Sequence, residues 1–357
     1  MSLTALQASG RRHRRSGLAL LSIGLLLLLL NVSAVVGMAP SGAVGTNAAS
    51  TTVSIPRSIP NITPDKKTPA HPMGVADYGE NGLSTYSYTS QAFKSWANFT
   101  SLTIGKATIS GGNHQMTIQQ NLVDYGVLVG THSGEYWIQN VPYITQAKTE
   151  YTVNLLDNIW NFTGTTSSTY MNQTDITGNL LGNCGEGGYV STGSGYSYYW
   201  CLGSLQVTVK LPFEIMMTTT TGTWASGPYA GDSDVNFSVA IYHSGTFVGS
   251  QLFDEVAFHS AGGNTPAFQV GGKNPFGLYN DAETVLCGPG GGSSVAISAV
   301  SAKLSESYYT GTKYVSVPHA YSYGYDTAET VTGVQMTSTN LGVGTAAHGT
   351  DNTIKLW

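Results

Sequence analysis

Two carboxyl groups lie close together in a chain that has few of them. Only 20 of the 357 residues are Asp or Glu, and Asp281 and Glu283 share the apolar stretch GLYNDAETVLC, which leads into the glycine-rich residues 288–292. Residues two apart on a strand point to one face, so these carboxyls should lie side by side, one protonated and one ionised. Such a pair can activate water and protonate a leaving amine or oxygen. The alternative is a solvent-facing strand edge, or two caps for the glycine turn.

A second acidic candidate is Asp326, in the segment YGYDTAE at 323–329. It is a further candidate for the catalytic carboxyl. The alternative is structural, because Asp326 followed three residues later by Glu329 has the spacing of an N-terminal helix cap.

Two aromatic segments supply candidate substrate contacts. Gln139 alternates with Trp137 in EYWIQNV, and Asp157 precedes Trp160 in LLDNIWNF. An acid between Leu and Trp is expected to be partly buried, and therefore hydrogen-bonded or functional. We expect Trp137, Trp160 and Asp157 to contact substrate and Gln139 to line the same groove, although a strand glutamine more often pairs with backbone. Asp254 is a weaker candidate.

The elements that must position these residues are predicted to be short strands. Alternating runs such as LQVTVKL (205–211) and VNFSVAIY (235–242) are separated by Gly, Asn, Asp and Pro clusters. This pattern is typical of an all-β sandwich or barrel, and we predict a double-sheet, jelly-roll-like architecture. Helical periodicity is scarce, and one short helix is expected at Thr89–Phe99.

The charge balance points to acidic surroundings. Charged residues make up 10% of the chain, against roughly 25% in an average domain. Beyond residue 40 there are 11 Lys and Arg against 20 Asp and Glu, a formal charge of −9, and Arg57 is the one arginine. Few basic groups limit the charge repulsion that unfolds proteins in acid, and the lack of a basic patch excludes a nucleic-acid binder. A secreted β-protein of neutral surroundings is the alternative.

The N-terminal region has the pattern of an export signal. Four arginines at 11–15 precede an almost wholly apolar run at 18–30 and several small residues, as in a signal peptide. An uncleaved signal-anchor, with membrane anchoring through residues 17–39, is the alternative. We therefore predict a signal or anchor at 1–40, a Ser/Thr/Pro-rich linker or pro-segment at 41–72 and a β catalytic domain at 73–357, outside the cell. Five Asn-X-Ser/Thr sequons suit an exported glycoprotein.

The three cysteines also fit an exported protein. Cys184 and Cys201 bracket a Gly/Ser/Tyr-rich segment, and a disulfide between them is plausible outside the cell. Cys287 is then unpaired and is expected to be a buried, inert thiol. Cysteine and histidine spacings do not match a zinc site, so neither a metal nor a cofactor is expected.

Five segments in order carry a resemblance to a known family. They are GVADYG (74–79), EYWIQNV (135–141), LLDNIWNFTG (155–164), GLYNDAETV (277–285) and YGYDTAE (323–329). Together they resemble thermopsin, the family of archaeal acid proteases, over nearly the whole chain beyond residue 72. The resemblance implies an exported, pepstatin-sensitive endopeptidase of the aspartic class that acts on polypeptides. The paired Asp-Thr-Gly motifs of pepsin-like enzymes are missing, so a pepsin-like bilobal fold is not expected.

The expected mechanism is direct attack by water without a covalent intermediate. We assign it first to Glu283 and Asp281 and second to Asp326. By analogy with glutamic peptidases, a variant would pair Glu283 with an amide such as Gln139. Two other functions stay open: a non-catalytic envelope or glycan-binding domain, and a glycosidase. A peptide-length groove lined by converging acids would favour the protease. Oligomeric state and cleavage specificity are not predicted.

Overall fold

The computed structural model of the chain describes residues 73–81, 84–161, 172–191, 197–260, 262, 265–273, 279–318, 320–323, 329–334, 340–342 and 354–356. The predicted signal or anchor, the linker at 41–72 and Asp326 lie outside these residues. In the part of the chain that is described, no helix is both long and apolar enough to cross a membrane.

The described chain is built almost entirely from strands. In chain order they are β1 Met73–Asp77, β2 Glu80–Asn81, β3 Ser84–Thr85, β4 Tyr88–Ser90, β5 Ala92–Ala107, β6 Gln115–Val129, β7 His132–Ala147, β8 Glu150–Asn161, β9 Ile176–Thr177, β10 Cys184–Ser191, β11 Ser197–Val209, β12 Phe213–Thr223, β13 Ser233–His243, β14 Thr246–Phe258, β15 Ala267–Val270, β16 Ala282–Cys287, β17 Ser294–Tyr309, β18 Tyr314–Ser316, β19 Ala320–Tyr323, β20 Thr330–Thr332, β21 Asn340–Gly342 and β22 Ile354–Leu356. A single 3-10 turn at Gly227–Tyr229 interrupts the described strands.

Two large sheets pack face to face, which confirms the predicted all-β, double-sheet fold. The first sheet has the strand order β10-β11-β8-β7-β6-β16-β1-β19-β21, with β15 joined to β4 and β6. The second has the order β18-β17-β5-β12-β13-β14-β9, with β20 and β22 joined to β17. Neighbouring strands are antiparallel except for β17 and β20. The inner faces of the two sheets enclose the main hydrophobic core.

Strand β8 shows how the sequence separates the two faces of the first sheet. Its residues alternate between buried and half-exposed along Tyr151–Asn161. Odd-numbered residues such as Val153 and Leu155 therefore point into the core, while Asn158 and Trp160 point to the outer face. In β7 this alternation includes the half-exposed Glu135 and Trp137, but residues 138–142 are all buried.

The helix expected at Thr89–Phe99 is wrong. The segment ends β4 and begins β5, which lies between β12 and β17 in the middle of the second sheet. Phe93, Ala97 and Phe99 are completely buried there. Apolar residues on both faces of a central strand produce a run that resembles helical periodicity, and tertiary pairing decides the outcome.

A disulfide links Cys184 of β10 to Cys201 of β11. These strands are paired neighbours at one edge of the first sheet. Cys287 is free and buried. The bond therefore closes the Gly/Ser/Tyr-rich segment that the sequence analysis singled out.

Candidate active site

A row of polar residues crosses the outer face of the first sheet. In the strand register, Glu283 of β16 lies opposite Asn121 of β6, Asn121 lies opposite Gln139 of β7, and Gln139 lies opposite Asn158 of β8. Directly opposed residues on neighbouring strands project to the same face. Three consecutive strands, β6 to β8, and the distant strand β16 thus place their polar side chains in one line.

Glu283 receives a hydrogen bond on each carboxyl oxygen. The Tyr78 hydroxyl donates to Oε1 at 3.1 Å, and the Asn121 Nδ2 donates to Oε2 at 3.1 Å. Tyr78 follows β1, which pairs with β16 so that Ala76 lies opposite Glu283. The carboxyl group is therefore held between two donors that reach it from neighbouring strands.

The amides continue the row from Glu283 to an indole ring. Gln139 donates from Nε2 to Asn121 Oδ1 at 3.1 Å and to Gln119 Oε1 at 3.1 Å. The indole Nε1 of Trp160 donates to Gln139 Oε1 at 2.8 Å. The structure thus brings together three residues singled out in the sequence, Glu283, Gln139 and Trp160, and Asn121 connects them.

Aromatic rings lie beside the amide end of the row. Trp137 of β7 pairs across the strands with Trp160, and Trp160 pairs with Tyr198 of β11. The Trp160 and Tyr198 rings stack with centroids 4.3 Å apart and planes 26° apart. All three rings are half-exposed. They form an apolar, partly accessible surface adjoining Gln139.

Glu283 itself is buried. Its exposed fraction is 0%, that of Gln139 is 5% and that of Asp281 is 2%. The Tyr78 and Tyr279 rings, 5.2 Å apart, lie against this end of the row. Among the described residues, the row is thus accessible at Trp160 and closed at Glu283, and the open groove that would favour a protease is not seen at Glu283.

The predicted strand and glycine turn around Glu283 are present. Asp281 directly precedes β16, and Gly290, Gly291 and Gly292 adopt φ angles of 114°, 63° and 68°, which favour glycine. The Gly288 carbonyl accepts the Thr117 hydroxyl at 2.9 Å. The turn therefore fixes the end of β16 against β6. That Asp281 and Glu283 share a face stays a prediction.

Cys287 ends the same strand beside acidic groups. Burial, followed by the nearby charges of Glu329 and Glu283, raises the pKa of its thiol well above the usual value. A thiol in these surroundings stays protonated and is a poor nucleophile. Glu329 also accepts the Gly292 N–H at 3.0 Å.

Asp157 lies on the opposite face of the first sheet from Trp160. It is fully buried between the sheets, beside Asp254 of β14. Burial, followed by the charge of Asp254, raises the pKa of Asp157 well above its usual value. Burial also raises the pKa of Asp254, to about 6. The structure therefore brings two aspartates together in the core and does not bring Asp157 to the outer row.

One group of potential metal ligands occurs among the described residues. Ligand atoms of Cys184, Cys201 and Asp254 all lie within 4.8 Å of one another. The two sulfurs are joined in the disulfide. Because thiolates are the form that binds metal, this group offers a single carboxylate.

Sequence reasoning missed Asn121, Tyr78 and the pairing of Asp157 with Asp254. A signal for Asn121 was present, since three amides, Gln119 to Asn121, interrupt an apolar strand. Glu283 lies 162 positions from Asn121 and 205 from Tyr78. Contacts over such separations depend on strand register, which a single sequence does not provide.

Comparison with known proteins gives one consistent match. The thermopsin family profile matches residues 60–334, more than half of the chain. Thermopsin of Sulfolobus acidocaldarius is 27% identical over 296 residues, covering 80% of this chain and 82% of the relative. The matched region includes every strand of the polar row. The chain belongs to the thermopsin family, a family of proteases.

Proposed function

We propose that this protein is an exported endopeptidase that works in acid, with Glu283 as the residue that activates water. The observation that carries the proposal is the continuous hydrogen-bonded row from Tyr78 through Glu283, Asn121 and Gln139 to Trp160. Family membership supports a peptidase. The small number of basic residues supports acidic surroundings.

The reaction needs one base, one water molecule and one donor. Ionised Glu283 takes a proton from water as the water oxygen bonds to the peptide carbonyl carbon. An amide N–H of Gln139 exchanges its present acceptor, Gln119 or Asn121, for the oxyanion that forms. Glu283 then gives its proton to the amine nitrogen as the carbon–nitrogen bond breaks. The products are a carboxylic acid and an amine, and no covalent enzyme intermediate forms.

The contacts of Glu283 suit a base that must be held in one orientation. Tyr78 and Asn121 donate to its two oxygens, which fixes the plane of the carboxyl group. Asp281 is our candidate for a second carboxyl in the same reaction. Asp326, outside the described residues, is the next.

Substrate would approach from the Trp160 end of the row. Trp137, Trp160 and Tyr198 offer a half-exposed apolar surface to a peptide side chain. Because Glu283 is buried, the reaction requires the Tyr78–Tyr279 side of the row to admit water and the peptide carbonyl. Exclusion of bulk water strengthens the electrostatic contacts that remain.

The test is digestion of a denatured protein between pH 1 and 6 by the purified protein, with and without pepstatin. Wild type should cleave in acid, and Glu283→Gln should not. Glu135→Gln is the matched control, because Glu135 lies partly buried on the outer face of β7 and undergoes the same chemical change. Equal cleavage by wild type and Glu283→Gln would remove Glu283 from the mechanism.

A non-catalytic exported domain is the second candidate, and the burial of Glu283 and Asp281 is the observation that favours it. In that case the Trp160–Tyr198 surface would bind glycans by ring stacking. Failure of the wild type to cleave at any acidic pH, together with retention on a polysaccharide column, would support this function over proteolysis.

A further inference from the structure

We propose that Trp160 is a positioning residue that aligns the amides of Gln139 and Asn121 toward Glu283. This inference rests on the proposed function and adds a role for an indole that does not itself touch Glu283. It follows from the direction of each hydrogen bond in the row.

The indole fixes the orientation of Gln139. An indole N–H can only donate, so the atom of Gln139 that lies 2.8 Å away must be the oxygen. The Gln139 nitrogen then faces Asn121 and Gln119. The usual ambiguity in the orientation of a side-chain amide is removed by this one contact.

The orientation of Gln139 in turn fixes Asn121. Because Gln139 presents its nitrogen, Asn121 must present its oxygen to Gln139, and its own nitrogen is left to face Glu283. Every hydrogen in the chain from Trp160 therefore points toward the carboxylate. Hydrogen bonds aligned in this way polarise one another and strengthen the last bond.

Gln119, whose nitrogen donates to Thr117 and whose oxygen accepts from Gln139, favours the same orientation. Without the indole N–H, this contact remains as the described contact of Gln139 that opposes a half-turn of both amides. After such a turn Asn121 would direct its oxygen at Glu283, and the described donor to Oε2 would be lost. The rotated arrangement therefore no longer holds the carboxylate that the proposed reaction needs. Trp160 disfavours it, although its own ring is half-exposed and stacked on Tyr198.

Trp160→Phe tests the role directly, because phenylalanine keeps a ring on Tyr198 and removes the N–H. We expect kcat to fall about tenfold with a smaller change in KM, because the ring that faces substrate is kept. Trp200→Phe is the control, since Trp200 is half-buried on the neighbouring strand and its register partner is Asn158. Loss of activity through KM alone, or equal losses in both variants, would overturn the proposal.

A double-mutant cycle separates a positioning role from a structural one. If Trp160 acts through Asn121, Trp160→Phe should lower kcat about tenfold in the wild-type background. In the Asn121→Ala background it should lower kcat less than about twofold. Equal falls in kcat in the two backgrounds would contradict a role of Trp160 that acts through Asn121. If Glu283→Gln keeps full activity, the proposed function fails; if Glu283→Gln is inactive and the cycle is additive, only the role of Trp160 fails.

Discussion

Buried carboxyl groups have different neighbours on the two faces of the first sheet at β8. On the outer face, a chain of donors from Trp160 ends on Oε2 of Glu283, and Tyr78 donates to Oε1. On the inner face, Asp157 meets a second carboxyl, Asp254. Burial is nearly complete in both places, so the neighbours decide the chemistry. The described neighbours of Glu283 are hydrogen-bond donors, whereas the opposed carboxyl of Asp254 helps to raise the pKa of Asp157.

For the activity in acid that we propose, the difference separates the catalytic base from the acids whose pKa burial raises. Catalysis by a base requires one ionised group, and the folded core benefits when buried acids are neutral. Burial also raises the pKa of Asp124 and of Glu306 well above their usual values. The outer row and the inner acids therefore divide the two requirements between the two faces of the first sheet.

The largest expected effect separates the two regions by activity. Glu283→Gln and Asp157→Asn both replace one buried carboxyl oxygen by an amide nitrogen. We expect kcat in acid to fall at least about 1000-fold in Glu283→Gln, since a general base is lost, and to stay within about threefold in Asp157→Asn. Steady-state kinetics on a peptide substrate would measure both. Comparable falls in kcat in the two variants would show that the outer row and the inner pair do not differ in their role in catalysis.

The second prediction concerns stability and pH at the inner pair. The folded pKa of Asp254, about 6, lies above the ordinary value of 3.8, so the folded state binds protons more tightly than the unfolded state. Protonation of Asp254 therefore stabilises the folded state fully below about pH 4, and this stabilisation is lost as pH rises to about 6. This loss is about 3 kcal/mol of unfolding free energy.

Urea unfolding from pH 3 to 7 would measure this slope. In Asp157→Asn the second carboxyl is replaced by a donor, and we expect a shallower decline between pH 4 and 6. Glu135→Gln, whose carboxyl pKa is also raised by burial, controls for the general effect of removing an acid. An unchanged slope in Asp157→Asn would show that the aspartate pair does not control stability in this range.

The third prediction removes the disulfide that borders the inner pair. Cys201 lies opposite Asp157 in the register of β11 and β8. Replacing Cys184 and Cys201 together by alanine should lower the free energy of unfolding by up to about 3 kcal/mol, because the unfolded chain gains freedom. Activity at acidic pH should change little if the outer row is independent. Cys287→Ala, at a buried free cysteine, controls for lost packing.

Local patterns in the sequence were enough to predict the sheets and the strand around Glu283. Alternating residues and glycine turns gave the all-β fold, and the glycine run after Cys287 gave the end of β16. The error at Thr89–Phe99 has the same origin, because a strand buried on both faces has no alternation to detect. Local pattern thus works best for strands with one exposed face.

Strand pairing, register and the packing of the two sheets could not be predicted from local patterns. Gln139 and Glu283 were singled out separately, but the residue that joins them, Asn121, depends on the register of three strands. Asp157 was assigned to the substrate side from its neighbour Trp160, although adjacent odd and even positions of β8 face opposite ways. Its partner Asp254 lies on the other sheet. The missing information is which strands pair and which sheets face each other.

The smallest effect is expected from removing a single donor at the outer row. Tyr78→Phe leaves the ring near Tyr279 and Asn121 on Oε2 of Glu283, and removes the described donor to Oε1. A hydrogen bond to a charged group contributes about 1.5 kcal/mol or more, which corresponds to about a tenfold fall in kcat. Tyr143→Phe is the matched control, because it removes a hydroxyl that donates to Gln115 on the same face. If Tyr78→Phe matched this control, Asn121 alone would hold the carboxylate, and the outer row would depend on its amides rather than on donors at both oxygens.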